Sequence, residues 1–268
     1  MEASGKKGIV FMDLDGTVLD NKLNLIPEST MEAIDMLKAS GYLVVISTGR
    51  DMDTHYSLRY KNMIAPDAII HHNGNKITVG NELLFEHTMD MELVKRIYEF
   101  CKEHGYCVGT SIGNEDFFLN PEIKLAADRS FKKVVERHFV PFEQIFERGL
   151  KVTALSYAGN ISEEKPIVEA AFPEVGLFPF SGGLGADVIE VGYSKAEGMK
   201  KLCAYYHMDR DRTYAFGDSH NDIPLLKEAA VGIAMGNADP EAKEAADYIT
   251  DDIRHDGIFN ACRHFGLI

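Results

Sequence analysis

The sequence predicts an α/β fold: a parallel sheet covered by helices on both faces, interrupted by an inserted α+β domain. Three observations carry that expectation. Short apolar runs without polar alternation, at residues 8–13, 42–46 and 68–70, read as strands buried on both faces. Amphipathic helical stretches separate them, which is the rhythm of strand–helix–strand units. From about residue 82 to 187 that rhythm gives way to hairpin-like strands mixed with helices.

Each element has its own reason. Residues 8–13 form the first strand. In 28–40, Met31, Ile34 and Leu37 share one helical face, and Gly41 provides the stop. Residues 42–46 form the second strand, followed by Ser47-Thr48-Gly49-Arg50 and a helical stretch at 51–60. Residues 68–70 form the third strand. After Asn73-Gly74, residues 76–79 and 83–86 flank Gly80-Asn81 and read as an antiparallel hairpin. A long helix at 90–104 follows. Strand-like pieces lie near 106–112, 116–119, 151–157 and 175–180, with helical pieces near 127–138 and 162–171.

Gly182, Gly183 and Gly185 read as a loop returning from the insert to the core, since no helix opens directly after them as a dinucleotide fingerprint requires. The first rhythm resumes with a strand at 188–191, a helix at 195–206, strands at 213–216 and 231–234, and a last helix near 256–264. The expected domains are a discontinuous core, 1–81 and 188–268, and a cap inserted at 82–187.

Composition narrows the function. The 268 residues carry 28 Lys+Arg against 42 Asp+Glu, a formal charge of −14, with 45% hydrophobic and 26% charged residues. That acidic balance argues against nucleic acid and against an anionic membrane as partners, while a local site can still take a small anion. Cys101, Cys107, Cys203 and Cys262 form no CxxC pair and read as buried thiols of a reducing compartment. The N-terminal apolar run is too short for a signal segment, and no 18-residue apolar stretch exists. The expected location is cytoplasmic, as a monomer or homodimer.

Four segments carry chemistry. Asp13-Leu14-Asp15-Gly16-Thr17 places two carboxylates at i and i+2 directly after a strand, where open α/β sheets bind ligands. Ser47-Thr48-Gly49-Arg50 ends the second strand before a helix, where backbone N–H groups and a hydroxyl suit an anion. Gly217-Asp218-Ser219-His220-Asn221-Asp222 brings another carboxylate pair to a strand end, and Lys195 opens a helix. Carboxylates with a lysine suit a hard divalent cation beside a phosphate. A lone DxDG can be a turn or a calcium-loop fragment, but the EF-hand continuation is absent here.

These segments resemble the haloacid dehalogenase (HAD) superfamily, and within it the Cof-type phosphatases with a large α/β cap (class IIB). The order DxDGT, STGR, Lys, GDxxND spans residues 13 to 222, and Asn73-Gly74 and the stretch Asp187–Val191 also look Cof-type. Lys195-Ala-Glu-Gly198 departs slightly, with glycine at the fourth place. The resemblance implies a Rossmann-like core. It implies Asp13 as nucleophile forming an aspartyl-phosphate, and Asp15 as general acid then base.

It further implies Mg2+ held by the Asp13 carboxylate, the Asp15 backbone carbonyl and Asp218, with Asp222 near the metal, acting through water or by orienting Lys195. Thr48 and Lys195 would bind phosphoryl oxygens with a hydrogen bond from Asn221, and Gly16, Gly49, Arg50 and Asn73 complete the candidate substrate-binding set. Asp187 faces the expected entrance as a candidate for the leaving group.

For Arg50 a substrate contact and a structural ion pair are equal readings. Adjacent His71 and His72 would point to opposite faces of a strand, which suits packing better than a metal. The basic stretch 124–137 (Lys124, Arg129, Lys132, Lys133, Arg137) reads as a solvated face, or as a cationic lip for phosphorylated substrates. The expected function is Mg2+-dependent hydrolysis of a small phosphorylated metabolite, foremost a sugar phosphate. The alternatives are a phosphosugar mutase with the same intermediate, and a non-catalytic phosphometabolite-binding regulatory protein.

Overall fold

The computed structural model of the chain describes residues 5–130, 137–180 and 182–268. Strand β1 (Gly8–Met12) is followed by α1 (Glu28–Ala39), β2 (Tyr42–Ser47), α2 (Leu58–Ile64), β3 (Ala68–His71), β4 (Lys76–Val79) and β5 (Glu82–Glu86). Next come α3 (Met91–His104), β6 (Cys107–Ile112), β7 (Glu115–Phe118), α4 (Pro121–Ser130), β8 (Phe139–Pro141) and α5 (Gln144–Glu147). They are followed by β9 (Leu155–Ala158), α6 (Ile161–Ala171), β10 (Val175–Pro179) and β11 (Gly185–Glu190). The chain closes with α7 (Lys195–Tyr206), β12 (Thr213–Gly217), α8 (Ile223–Glu228), β13 (Val231–Ala234), α9 (Pro240–Ala245), β14 (Tyr248–Ile249) and α10 (Gly257–His264).

Among the described residues eight strands form one sheet, in the order β14-β13-β12-β1-β2-β3-β4-β5. The pairs from β14 through to β3 are parallel, and β4 turns back antiparallel on β3. Every residue of β1 and β2 is buried, although successive side chains point to opposite faces, so both faces are covered. Helix α1 packs with α10, and α7, α8 and α9 pack in succession. The chain leaves β1 for β2 on one side and enters β12 on the other. That reversal places a ligand crevice at the carboxyl ends of these three strands.

Two compact units emerge. The first comprises Met1–Arg50, Lys61–Phe85 and Tyr193–Ile268; the second comprises Asp51–Tyr60 and Glu86–Gly192. The second unit has its own sheet, β10-β11-β9-β6-β7-β8, on which Leu93, Val94 and Ile97 of α3 and Val168 of α6 close a core with Val108, Leu155, Tyr157 and Val188.

Several details differ from the sequence expectation. The strand read at 188–191 as a return to the core is β11, and it pairs antiparallel with β10 and β9 in the second unit. Gly182 and Gly183 (φ 95 and 69) turn the chain from β10 into β11, with Phe180 N donating to Gly185 O, so they form no link between units. Gly185 lies in the strand because a Cβ there would meet Tyr157 O at 2.8 Å.

Strand β5 continues the first sheet, so the units divide after Phe85 and Gly192. Residues 51–57 form turns, and the helix starts only at Leu58. Asp51 accepts from Asp53 N and Thr54 Oγ1 donates to Asp51 O, bonds that compete with a helical first turn. Tyr56 anchors this segment to the second unit by donating to Asp116 Oδ2 at 2.5 Å. The helix expected at 127–138 begins at Pro121, a residue suited to the first helical turn.

Candidate active site

Asp13 follows β1 directly, and its N–H donates to Phe216 O of β12 at 3.0 Å, so the strand ladder fixes its backbone. Asp218 follows β12 in the same way. Asp222 closes a one-turn 3-10 helix, where its Oδ2 accepts the N–H groups of Asp218 and Ser219 at 3.0 Å each. Lys195 opens α7 behind Ser194, whose Oγ caps the helix by accepting from Glu197 N. Gly198, the displaced glycine of this segment, brings α7 against β3: a Cβ would lie 2.6 Å from Ile70 Cγ2.

These elements converge. Lys195 Nζ, wholly buried, donates to Asp13 Oδ1 and Asp222 Oδ1, both at 2.6 Å. One carboxylate oxygen from each of Asp13, Asp218 and Asp222 lies within 4.8 Å of the others. Burial, with the charges of Asp222 and Asp15, pushes Asp13 up to about 8 against the pull of Lys195. Burial and the Asp13 and Asp222 charges likewise hold Asp218 well above the carboxylate range. For Lys195, burial alone would lower the pKa, but the two carboxylates outweigh it and raise it.

The donor set fits a divalent cation. One ammonium faces three buried carboxylates, and Asp13 Oδ2 is buried without a hydrogen-bond partner. Oxygen donors lacking countercharge match a hard ion such as Mg2+. Gly16 leaves the room: with φ 90, a Cβ there would lie 2.2 Å from Asp218 Oδ2.

The other residues singled out from the sequence fall into place as follows. The Asp15 carboxylate stands outside the three-acid group, held by Arg50, whose Nε and NH2 donate at 2.6 and 2.5 Å. This is the contact that the ion-pair reading of Arg50 expects. Thr48 is buried; its Oγ1 accepts from Arg50 N, and Gly49 lies half-buried between them. Asn73 Oδ1 accepts from Asn221 Nδ2 at 2.9 Å.

Asp187 sits half-buried on β11 in the second unit. His71 is buried with its Nε2 2.9 Å from Thr78 Oγ1. In the basic stretch, Lys124 and Arg137 pair with Asp128, and Arg137 also with Asp116, which leaves neither as a solvated or cationic lip. Lys132 and Lys133 lie outside the described residues.

Two participants escaped sequence reasoning. Thr17 Oγ1 donates to Asp218 Oδ1 at 3.2 Å, and its place in DxDGT was the available signal. Asn237 Nδ2 donates to Gly16 O while its Oδ1 accepts from Ile253 N, and no local pattern marks it.

A family model described as haloacid dehalogenase-like hydrolase matches residues 10–262. The Bacillus subtilis (strain 168) protein YkrA is 30% identical over 97% of this chain and 98% of its own. The 5-amino-6-(5-phospho-D-ribitylamino)uracil phosphatase YcsE of the same organism is 27% identical over 97% and 96%. Among solved structures, the HAD subclass IIB sugar phosphatase BT4131 superposes with a TM-score of 0.86 at 30% identity, covering 97% of this chain and 100% of that one. The chain therefore belongs to the haloacid dehalogenase-like hydrolase family. It is an enzyme, a phosphoric monoester hydrolase.

Proposed function

We propose that the protein is a Mg2+-dependent phosphatase that hydrolyses a small phosphorylated metabolite, foremost a sugar phosphate, through an aspartyl-phosphate on Asp13. The observation that carries this reading is the buried cluster of Asp13, Asp218, Asp222 and Lys195, with Asp15 two residues beyond Asp13. Similarity to a sugar phosphatase of subclass IIB supports the substrate class.

Lys195 pins Asp13 Oδ1 and so fixes the carboxylate's rotation for in-line attack on phosphorus. As the P–O bond to the leaving alcohol breaks, Asp15 gives that oxygen a proton; its carboxylate then takes a proton from the water that attacks the aspartyl-phosphate. Arg50 orients Asp15 for both transfers. Lys195 carries positive charge toward the phosphoryl oxygens, with Thr48 and Asn221 as hydrogen-bonding partners. Mg2+, when held by Asp13, Asp218 and the Asp15 carbonyl with Asp222 nearby, supplies charge neutralisation for the transferring group.

Substrate selection is assigned to the second unit, Asp187 included. The free thiols of the four cysteines support a cytoplasmic setting.

The test is a panel of phosphorylated sugars, nucleotides and cofactors, assayed for phosphate release with and without Mg2+, alongside Asp13→Asn. Mg2+-dependent release by the intact protein, lost in the variant, is the expected result. No turnover of any substrate overturns the enzyme reading. An isomerised sugar phosphate without free phosphate replaces the hydrolase with a mutase.

A further inference from the structure

We infer that Asn73 is a positioning residue that acts through Asn221 rather than on the substrate itself; this rests on the proposed role of Asn221 toward the phosphoryl group. Asn221 is half-buried on the 3-10 turn that also carries Asp222. The turn is braced from within, since Asp222 Oδ2 holds two of its N–H groups and Asp222 Oδ1 receives Lys195. The amide of Asn221 takes one anchor from this turn, Ser219 Oγ, which donates to its Oδ1 at 2.7 Å. Its other anchor lies 148 residues away in sequence, where Asn221 Nδ2 donates to Asn73 Oδ1 at 2.9 Å. With both ends held, the amide plane is fixed, and the second Nδ2 hydrogen remains as the donor for a ligand.

The backbone around Asn73 is built to hold that acceptor still. His72, Asn73 and Gly74 take left-handed φ values of 48, 52 and 106 in succession. Left-handed backbone is unfavourable for residues with a Cβ, although asparagine tolerates it better than most. Three contacts enforce it. Asn73 N donates to Thr48 O at 3.0 Å, and His72 N donates to Arg50 O at 3.3 Å. Gly74 is wedged so tightly that a Cβ would lie 2.1 Å from the carbonyl oxygen of Ser194, the residue before Lys195.

One strained turn thus touches the loop after β2, the start of α7 and, through the Asn73 side chain, the turn after β12. Strain of this kind persists where the surroundings over-determine it, commonly at functional sites. Asn73 is itself buried, and its Oδ1 is engaged with Asn221.

The test is a double-mutant cycle on kcat/KM for the best phosphate ester found, using Asn73→Gly, Asn221→Ala and the double variant. Glycine adopts a φ of 52 freely, so Asn73→Gly removes the acceptor while keeping the turn. Each single variant is expected to lose about tenfold in kcat/KM, the worth of one good hydrogen bond, and the double variant to lose no more than Asn221→Ala alone. A double variant that loses the product of the two, about a hundredfold, overturns the inference, because Asn73 then acts independently. An Asn73→Gly enzyme with unchanged kcat/KM overturns it too.

The Ki of inorganic phosphate is measured in parallel. It is expected to weaken equally in both single variants and no further in the double. If Asn73→Gly does not fold, Ser219→Ala releases the Asn221 amide from its other anchor. Its loss must then be absorbed by Asn221→Ala, and full additivity contradicts the anchoring account. Absence of turnover by the intact protein would instead reject the phosphatase reading, a distinct result.

Discussion

Replacing Asp13 by asparagine is expected to abolish turnover and yet raise the stability of the metal-free protein. Asparagine keeps the shape of the side chain and an oxygen to accept from Lys195, but removes one of three buried negative charges. At an effective permittivity of about 20, like charges within 4.8 Å repel by at least about 3–4 kcal/mol, so Asp218 and Asp222, when ionised, together oppose Asp13 by about 7 kcal/mol or more. By the same rule Lys195 at 2.6 Å returns about 6 kcal/mol.

These nearly cancel, which leaves uncompensated the cost of burying a carboxylate, several kcal/mol. Protonation relieves part of this near neutrality, as the rise of Asp13 to about 8 indicates. The expected gain for Asp13→Asn in chelator is therefore about 1–3 kcal/mol, largest at about pH 9, a Tm rise of about 2–5 °C. Thermal melts followed by circular dichroism in EDTA, at about pH 7 and 9, measure it. A variant that melts below the parent at both pH values refutes the charge balance drawn here.

Four further outcomes are expected. Asp13 and Asp218 have folded-state pKa values above their unfolded ones, so from about pH 5 to 8 these two groups hold more protons in the folded metal-free protein than in the unfolded chain, and their contribution to stability falls as pH rises. Mg2+ requires the ionised carboxylates, so its Tm increment is larger at pH 8 than at pH 5.5; melts that rise from pH 5 to 8 in chelator contradict the first expectation, and an increment no larger at pH 8 contradicts the second. In the second unit, Arg137→Leu removes the guanidinium shared by the buried carboxylates of Asp116 and Asp128, with an expected loss of about 3–5 kcal/mol; an unchanged Tm contradicts it. Gly74→Ala, driving a Cβ against Ser194 O, should shift Lys195 and lower kcat/KM about a hundredfold, whereas a change within twofold shows that the turn yields without cost.

How much of this was legible in the sequence depended on whether the deciding contact was local. The acids of the site could be read because β1 and β12 are apolar runs whose ends are plain, and parallel pairing aligns those ends. The allegiance of β11 could not be read, since an apolar strand does not state which neighbours it pairs with, and its partners β10 and β9 decide that. The late start of α2 followed from side-chain bonds of Asp51 and Thr54, which outcompete a helical turn without altering the apolar pattern. Arg50 was ambiguous because its partner Asp15 lies 35 residues away, and Asn237 was invisible because its partner Gly16 lies 221 residues away. Motif order revealed the reacting groups, whereas the residues that hold them in place became apparent only in three dimensions.

The central claim is that Asp13 becomes covalently phosphorylated during turnover. Acid quenching of the enzyme with a turned-over phosphate ester and Mg2+, followed by mass spectrometry of the peptide containing Asp13, measures it directly. One added phosphoryl group is expected on that peptide in the intact enzyme and none in Asp13→Asn. Phosphate release without any modified peptide, together with retained turnover in Asp13→Asn, would contradict it.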